Sequence, residues 1–405
     1  MTFLFAWRYF KAKKTTNAIN IISWISILAI AVGSAALILI LSVFNGFEDL
    51  VKGLYADFYT DIKVSPAKGK FLTLSPQQLQ QIRSVKGVKN FSLVVEEKAV
   101  LVNENFQSII YLKGVDEAYP RVSGLVKHIT KGKFDAGTVD KPSLILGSGI
   151  ENAVGVEPGV NFTPLTVYLP NLKATNFSGL SALNAYNADV SGSFMLQQDF
   201  DNKYVVTNID FVKYMLDLGV DQYSSLEIAL INAEETADVK DKIEALLGKD
   251  YLVQTRYQQN QSLYSIMQVE KWVIYGILSL ILVVAAFNMI GALTMLVLEK
   301  QKDISVLKAM GAGNDYIQRI FLNEGFVLAT VGGGTGILVA IAICLAQIKY
   351  KVIKLSGGSF IIDYYPVKLV PTDFLLVIIT IFLIALLAAW IPSRKASHQN
   401  FSLKS

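Results

Sequence analysis

Four long hydrophobic runs without a charged residue constrain this chain more than any other feature. They extend over 15–47, 272–298, 325–348 and 374–393 of the 405 residues. Each is at least as long as the roughly 20 residues that an α-helix needs to cross the hydrocarbon layer. A spanning segment must be helical, because backbone polar groups find no water there. Charged residues make up only 17% of the chain, below the roughly 25% of soluble domains. The sequence therefore predicts a membrane protein with four transmembrane helices.

The first run also has the basic start of a secretory signal peptide. Its apolar core, 21–44, is longer than the roughly 7–15 residues of a signal-peptide core, and no convincing small-x-small cleavage site follows it. We therefore expect an uncleaved first span. Residues 3–14, within the N-terminal segment 1–20, have the spacing of an amphipathic helix on the inner leaflet.

Lysine and arginine predict the orientation. The N-terminal segment, the loop between the second and third spans and the C-terminal tail carry eleven basic residues, against four in the loop between the third and fourth spans. Since basic loops stay in the cytoplasm, both termini are predicted to be cytoplasmic. The predicted order is a cytoplasmic segment (1–20), first span (21–47), external domain (48–268), second span (269–298), coupling segment (299–320), third span (321–348), external loop (349–372), fourth span (373–393) and cytoplasmic tail (394–405).

The external domain has α+β patterning. Ser75 and Pro76 predict a helix start, and two β-rich runs joined by Asn103–Phe106 predict a hairpin. A second strand–helix–strand unit follows, starting at Ser225, with Asn232 as its expected helix cap. Together these units predict a split βαβ lobe (48–115 plus 224–256) that carries a β-rich inserted lobe (116–223).

The sequence contains none of the catalytic patterns that we sought. It has no G-x-x-x-x-G-K-[ST] motif for binding ATP, and its two histidines are far apart. Its one cysteine, Cys344, permits no disulfide within the chain. No basic patch interleaved with aromatics suggests a nucleic-acid partner. Gly332 and Gly336 lie mid-span at small-xxx-small spacing, which indicates close helix packing rather than phosphate binding. The predicted class is a membrane protein that is not itself an enzyme.

The segment between the second and third spans has the clearest functional pattern. Ile304, Leu307 and Met310 are predicted to lie on one helical face with charged residues beside them, and Gly311 and Gly313 end the helix. We expect a short helix on the cytoplasmic face, which a partner can push to move both adjoining spans.

Several motifs resemble a known family. Glu299–Gly311 resembles the coupling segment of ABC permeases of the MacB/FtsX-like superfamily. Residues 22–38, followed by Leu41-Ser-Val-Phe-Asn-Gly-Phe-Glu, resemble the LolC/LolE type, the lipoprotein-releasing permeases. Further similar stretches are Leu144-Ile-Leu-Gly-Ser-Gly, Gly155-Val-Glu-Pro-Gly, Leu165-Thr-Val-Tyr-Leu-Pro and Trp390-Ile-Pro-Ser-Arg-Lys-Ala-Ser.

The resemblance implies an assembly in the bacterial inner membrane. Two permease subunits, identical or paralogous, would pair with two cytoplasmic ABC ATPase subunits, which hold the ATP and magnesium, so this chain binds no cofactor. Lipoprotein cargo would leave the outer leaflet between the first and second spans and pass to a periplasmic chaperone.

The resemblance also implies residue roles. The acyl-chain cavity would be lined by Val43, Phe44, Phe47, Ile266 and Met267. The ATPase contact would involve Lys302, Ile304, Leu307, Lys308, Met310 and Gly311. In LolC-type permeases a proline-containing hook after the L-T-V-x-x-P motif grips the chaperone. Here 171–189 contains no further proline, so its candidate contacts, Asn171, Phe177 and Leu180, depart from that pattern, and a LolC-like, LolE-like or combined role stays open.

Two rival functions remain. A superfamily member of the FtsX or MacB kind would transmit force to a periplasmic partner, such as a cell-wall hydrolase, or export another amphiphile. A membrane-anchored adhesion or sensor protein would need no ATPase, and the coupling segment argues against it.

Overall fold

The computed structural model describes residues 17–104, 106–159, 164–171, 183–355 and 362–398. The predicted amphipathic helix at 3–14 lies outside these ranges. The chain divides into two compact units, a membrane unit (Met1–Leu50 with Ser265–Ser405) and a large domain (Val51–Tyr264). Each is described by itself.

Four helices of the membrane unit are long and apolar enough to cross a membrane, which confirms the predicted number of spans. In chain order, the first to fourth spans are the helices Asn17–Phe58, Gln261–Glu299, Asn314–Tyr350 and Pro371–Ser397. The fourth begins with a proline at its first position, where a missing N–H costs no hydrogen bond. The third ends where Lys351 adopts a left-handed conformation (φ 50°).

The spans pack through small and aliphatic side chains. Their shared core includes Leu37 of the first span, Leu282 of the second, Leu328 of the third and Val377 of the fourth. The first span is a 42-residue helix, about 63 Å long at 1.5 Å per residue, and so is much longer than the hydrocarbon layer requires.

The large domain is built on a ten-stranded mixed sheet and has a separate two-stranded sheet. Its twelve described strands are β1 (Ile62–Pro66), β2 (Leu72–Thr73), β3 (Val88–Asn103), β4 (Phe106–Val115), β5 (Ile129–Gly132), β6 (Ser143–Gly147), β7 (Leu165–Pro170), β8 (Leu183–Phe194), β9 (Tyr204–Asn208), β10 (Gln222–Tyr223), β11 (Ser225–Leu230) and β12 (Tyr251–Thr255). Its helices are Pro76–Ser84, Ser148–Val154, Gln198–Asp201, Ile209–Leu216, Thr236–Leu247 and Arg256–Gln259, with 3₁₀ turns at Tyr119–Arg121, Leu125–His128 and Ala233–Glu235.

The strand order confirms the predicted split βαβ arrangement. At one end of the sheet the order is β12-β1-β11-β3, so β11 lies between β1 and β3 and β1 lies between β11 and β12. Between β1 and β3 the chain forms β2 and then the helix Pro76–Ser84. Between β11 and β12 it forms the helix Thr236–Leu247. Strands β3 and β4 form the predicted hairpin, in which Asn103 pairs with Phe106.

The segment 116–223, predicted to be a separate inserted lobe, contributes strands to the same sheet. The order continues from β4 to β9, β6 and β8, and β7 pairs with both β8 and β3. Strands β3, β4, β9, β6, β8 and β7 therefore form a closed ring, which leaves few exposed strand edges. In β7, Leu165, Val167 and Leu169 alternate into the core, as the two-residue period of a strand requires.

A buried ion pair crosses the sheet. The Nζ of Lys113 on β4 lies 2.8 Å from Oε1 of Glu227 on β11, and both side chains are almost fully buried. The same amine lies 4.9 Å from the ring centroid of Phe58, at the end of the first helix. Burial alone would lower the pKa of Lys113, but the attractions of Glu227, Tyr119 and Glu96 together outweigh it and raise that pKa above its usual value.

Candidate functional site

The predicted cargo residues lie at the outer ends of the first and second spans, meaning the ends from which the chain continues into the large domain. Val43, Phe44 and Phe47 are half-buried on the first span. On the second span, Met267 is buried and Ile266 is exposed. The ring of Phe47 packs edge-on against Tyr365, with centroids 5.9 Å apart.

Three polar side chains join the outer ends of three spans. Asn45 Nδ2 donates a hydrogen bond to Asp373 Oδ2 over 2.6 Å, which links the first span to the fourth. The amine of Lys271, on the second span, donates to Asn45 Oδ1 over 2.9 Å and lies 3.0 Å from Asp373 Oδ1. Each of these groups therefore contacts the other two, and we call Asn45, Lys271 and Asp373 the outer clasp.

The loop between the third and fourth spans lies over the outer end of the first. We call residues 351–355 and 362–370 the strap. Gln347, at the end of the third span, donates to the carbonyls of Ile353 (2.9 Å) and Tyr365 (3.1 Å) and so fixes the strap at its base. Further along the strap, the N–H of Lys368 donates to the Ser42 carbonyl over 2.9 Å.

Gly46 is needed where the strap crosses the first span. A Cβ at this position would overlap the backbone of Pro366, so no larger residue fits beneath the strap without a shift. Nearby, the amine of Lys368 pairs with the carboxylate of Asp49.

The coupling segment forms the expected short helix, Gln301–Ala309, which we call the coupling helix. Ile304 is buried within the core shared by the spans, and Leu307 is half-buried. Lys302 is exposed, Val306 is 58% exposed and Met310 is 80% exposed. These three recur every four residues and form a surface stripe that a partner can contact.

The coupling helix is also tied to the fourth span. Lys308 Nζ donates to the carbonyl oxygen of Ser397 over 2.9 Å. Gly311 follows with φ +90°, a backbone conformation that favours glycine and turns the chain into the third span. The coupling helix is thus joined through the chain to the second and third spans and through this bond to the fourth.

Gly332 and Gly336 lie where the third span packs against the first. A Cβ at Gly332 would lie 2.9 Å from the Ile27 carbonyl oxygen, and one at Gly336 would overlap Ala31 and Ser34. The two helices approach closely because neither glycine has a side chain.

The predicted chaperone loop is only partly described. Asn171 follows β7 and is half-buried, whereas Phe177 and Leu180 lie outside the described residues. The loop connects β7 with β8, which are paired from Leu165–Ala188 to Pro170–Leu183.

Sequence reasoning missed the outer clasp. Lys271 and Asp373 are the charged residues directly before the second and fourth hydrophobic runs, and Asn45 lies within the first. A charge next to a span usually indicates only its boundary, so position alone did not indicate pairing. The signal that was present is their common location at outer ends.

Comparisons with known proteins agree with this architecture. Residues 23–246 match the model of the MacB-like periplasmic core domain, and residues 275–401 match that of the FtsX-like permease C-terminal region. The lipoprotein-releasing system transmembrane protein LolC of Xylella fastidiosa (strain Temecula1) is 26% identical over 96% of this chain and 95% of its own. The corresponding LolE protein of Haemophilus influenzae is also 26% identical, over 98% of this chain and 96% of its own.

A solved structure of the periplasmic region of MacB from Actinobacillus actinomycetemcomitans covers 50% of this chain and 92% of its own, with 13% identity and a TM-score of 0.35. The MacB-like model alone spans more than half of the chain, and the FtsX-like model covers most of the second span and all of the third and fourth. The chain therefore belongs to the family of multi-pass membrane permeases that combine a MacB-like periplasmic core domain with an FtsX-like C-terminal region.

Proposed function

We propose that this chain is the permease subunit of an ABC complex that extracts lipoproteins from the outer leaflet of the inner membrane and passes them to a periplasmic chaperone. The observation that carries the proposal is the near-complete alignment with permeases named as lipoprotein-releasing. LolC and LolE proteins match equally well at 26% identity, so identity alone assigns neither role.

Energy would reach this chain through the coupling helix. Two cytoplasmic ATPase copies would hold ATP and magnesium, and one would contact the stripe of Lys302, Val306 and Met310. This fits the location of Ile304 in the shared core and the bond from Lys308 to Ser397, because both would transmit a push to the spans. Leu307 and Gly311 would position the stripe.

Cargo would be held at the outer ends of the first and second spans. Val43, Phe44, Phe47, Ile266 and Met267 supply apolar surface for acyl chains, whose burial is favourable at about 0.8 kcal/mol per CH₂. The second span has exposed Val269, Trp272, Val273, Ile277 and Leu280, a surface suited to lipid or to the second permease subunit.

The remaining partners follow from the same model. The loop after β7, with Asn171, Phe177 and Leu180, would contact the periplasmic chaperone. Both termini would face the cytoplasm, which places the large domain in the periplasm with the chaperone.

The deciding experiment is photocrosslinking in cells from position 44, with a photoreactive amino acid in place of Phe44. We expect adducts to acylated proteins that accumulate when the ATPase is blocked and disappear when it is active. A crosslinker at Trp24, which is exposed near the other end of the same helix, serves as the matched control and should give no lipoprotein adduct.

Adducts to lipid alone, together with normal lipoprotein sorting after depletion of this chain, would overturn the proposal. We would then propose that the chain transmits force to a periplasmic partner or exports another amphiphile. The match to an FtsX-like C-terminal region is compatible with both functions.

A further inference from the structure

The outer clasp joins ionised groups in a setting where apolar side chains would be simpler. Asn45 is 4% exposed and Asp373 is 7% exposed, whereas the side chain of Lys271 is 29% exposed. Replacing a buried ion pair by well-packed apolar residues is often neutral or stabilising, whereas removing one partner is costly. Stability alone therefore gives little reason for this cluster.

A reversible contact is a better explanation. When two packed apolar surfaces separate into water, their contact energy is lost without compensation. When Lys271 and Asp373 separate at the end of the spans, water can hydrate both charges. In the closed state the charges make short, charge-assisted hydrogen bonds, and in the open state water hydrates them. The free-energy difference between the two states is therefore smaller than the strength of the hydrogen bonds or of the hydration taken alone.

The strap determines which helices would part. It ties the first span to the connection between the third and fourth spans, through the bond from Lys368 N–H to Ser42 and the close contact at Gly46. The Asn45–Asp373 bond joins the same two helices a second time. Lys271 is the side chain that connects the second span to the first within the clasp. The second span has a further polar contact with the fourth, between the hydroxyls of Tyr275 and Thr380, and that contact does not involve the first span.

We propose that the outer clasp is a reversible latch, in which Lys271 releases Asn45 and Asp373 so that the outer ends of the first and second spans can separate. Its use as the entry gate for acyl chains rests on the proposed function, whereas the latch itself does not. Opening would expose the apolar layer one helical turn below Asn45, where Leu41 is buried.

The test measures the labelling rate of a cysteine by a small maleimide. The protein is the complete complex in lipid nanodiscs, with Cys344→Ser to remove the native thiol and Leu41→Cys as the reporter. We expect Lys271→Gln and Asp373→Asn each to raise the rate about tenfold or more. The double variant should exceed neither single variant by much, because residues of one network are not additive.

Two variants control for general disruption. Lys271→Arg keeps a cation that can reach both partners and should leave the rate low. Lys349→Gln neutralises another lysine of the outer side, one that is exposed beyond the clasp, and should also leave it low. Copurification of the ATPase with each variant establishes that the complex is assembled.

Unchanged labelling in both Lys271→Gln and Asp373→Asn would overturn the latch, as would additive effects in the double variant. With the wild-type clasp, adding acylated protein should raise the labelling rate. A raised rate in the variants but none with acylated protein would retain the latch and refute its use as a cargo gate. Loss of the proposed function itself would appear separately, as an absence of lipoprotein adducts at position 44.

Discussion

Gly336 of the third span lies so close to Ala31 of the first that a methyl group on Gly336 would overlap the Ala31 carbonyl oxygen. Gly336→Ala should therefore destabilise the membrane unit by about 1–3 kcal/mol, the usual cost of overpacking. Thermal unfolding of the purified protein in detergent measures the loss. Gly334→Ala is the matched control, since a Cβ there has no described heavy atom within 4 Å. Equal melting temperatures for the two variants would contradict the close packing.

The exposed stripe of the coupling helix should be required for ATPase binding and dispensable for folding. Val306→Asp and Met310→Asp each place a charge on it and should weaken association with the ATPase at least about tenfold, as losses at interface hot spots do. Their melting temperatures should change little, because surface substitutions usually cost under about 0.5 kcal/mol.

Copurification with the ATPase gives the readout for these two variants. Gln301→Asp adds the same charge outside the stripe and should bind normally. Ile304→Ala should instead destabilise the chain itself, by about 2–5 kcal/mol, because Ile304 is a core residue. Normal binding by both stripe variants would exclude this surface as the contact.

The buried pair of Lys113 and Glu227 should be costly to break. Lys113→Met and Glu227→Met each leave one buried charged partner and should cost about 3–5 kcal/mol, whereas the double variant should cost less than the two together. Unfolding of the full chain measures these values. For comparison, Lys133→Met removes an exposed ion pair with Asp135 and should cost under about 1 kcal/mol.

The pH dependence of the same pair has a definite sign. Because the pKa of Lys113 is raised in the folded protein, its contribution is fully present below the ordinary lysine pKa. It is lost only as the pH rises through the folded-state value. The destabilisation by Lys113→Met should therefore be the same at about pH 7 and about pH 9. A deficit that shrinks across this range would show that Lys113 loses its proton earlier.

The hairpin turn offers a stabilising substitution. Glu104 adopts φ +49° between β3 and β4, a conformation that asparagine tolerates better than glutamate. Glu104→Asn should raise stability by about 0.5–1 kcal/mol, measured by thermal unfolding. Glu104→Ala removes the carboxylate without making the positive φ more favourable, so it should not raise stability. If Glu104→Ala raised stability as much as Glu104→Asn, the effect would come from removal of the charge.

Local chemistry explains what the sequence predicts well. Ser75 accepts from the N–H of Gln78 and starts a helix at Pro76, because a capping side chain and a fixed φ act over only a few residues. Asn232 also caps, although it caps a 3₁₀ turn before the helix at Thr236. The four spans follow from uninterrupted apolar length, which is equally local.

The prediction that Met310 shares a face with Ile304 is wrong. Steps of three residues fall short of a full 3.6-residue turn, so six residues rotate the side chain about 120° away. Ile304 is consequently buried while Met310 is exposed. The site residues at Phe44 and its neighbours came from family resemblance, and their predicted roles await the crosslinking test.

Long-range pairing explains what the sequence did not predict. Asn45 and Asp373 are 328 residues apart, and no periodicity relates them. The closed ring of strands is likewise not predictable from the sequence, because the pattern of each strand shows only which of its sides is apolar and not which strand it pairs with. The ring consists of β3, β4, β9, β6, β8 and β7.

The order in which the clasp residues occur has a consequence for biosynthesis. Asn45 and Lys271 are translated well before Asp373, which lies at the start of the last helix. A nascent chain that has inserted only its first three spans therefore carries a lysine whose carboxylate partner does not yet exist. Insertion of the fourth span supplies the carboxylate and, with the strap, completes the bonds between the earlier helices. A product that ends before the fourth span would thus keep the contact between Lys271 and Asn45 but lack the carboxylate that neutralises the lysine.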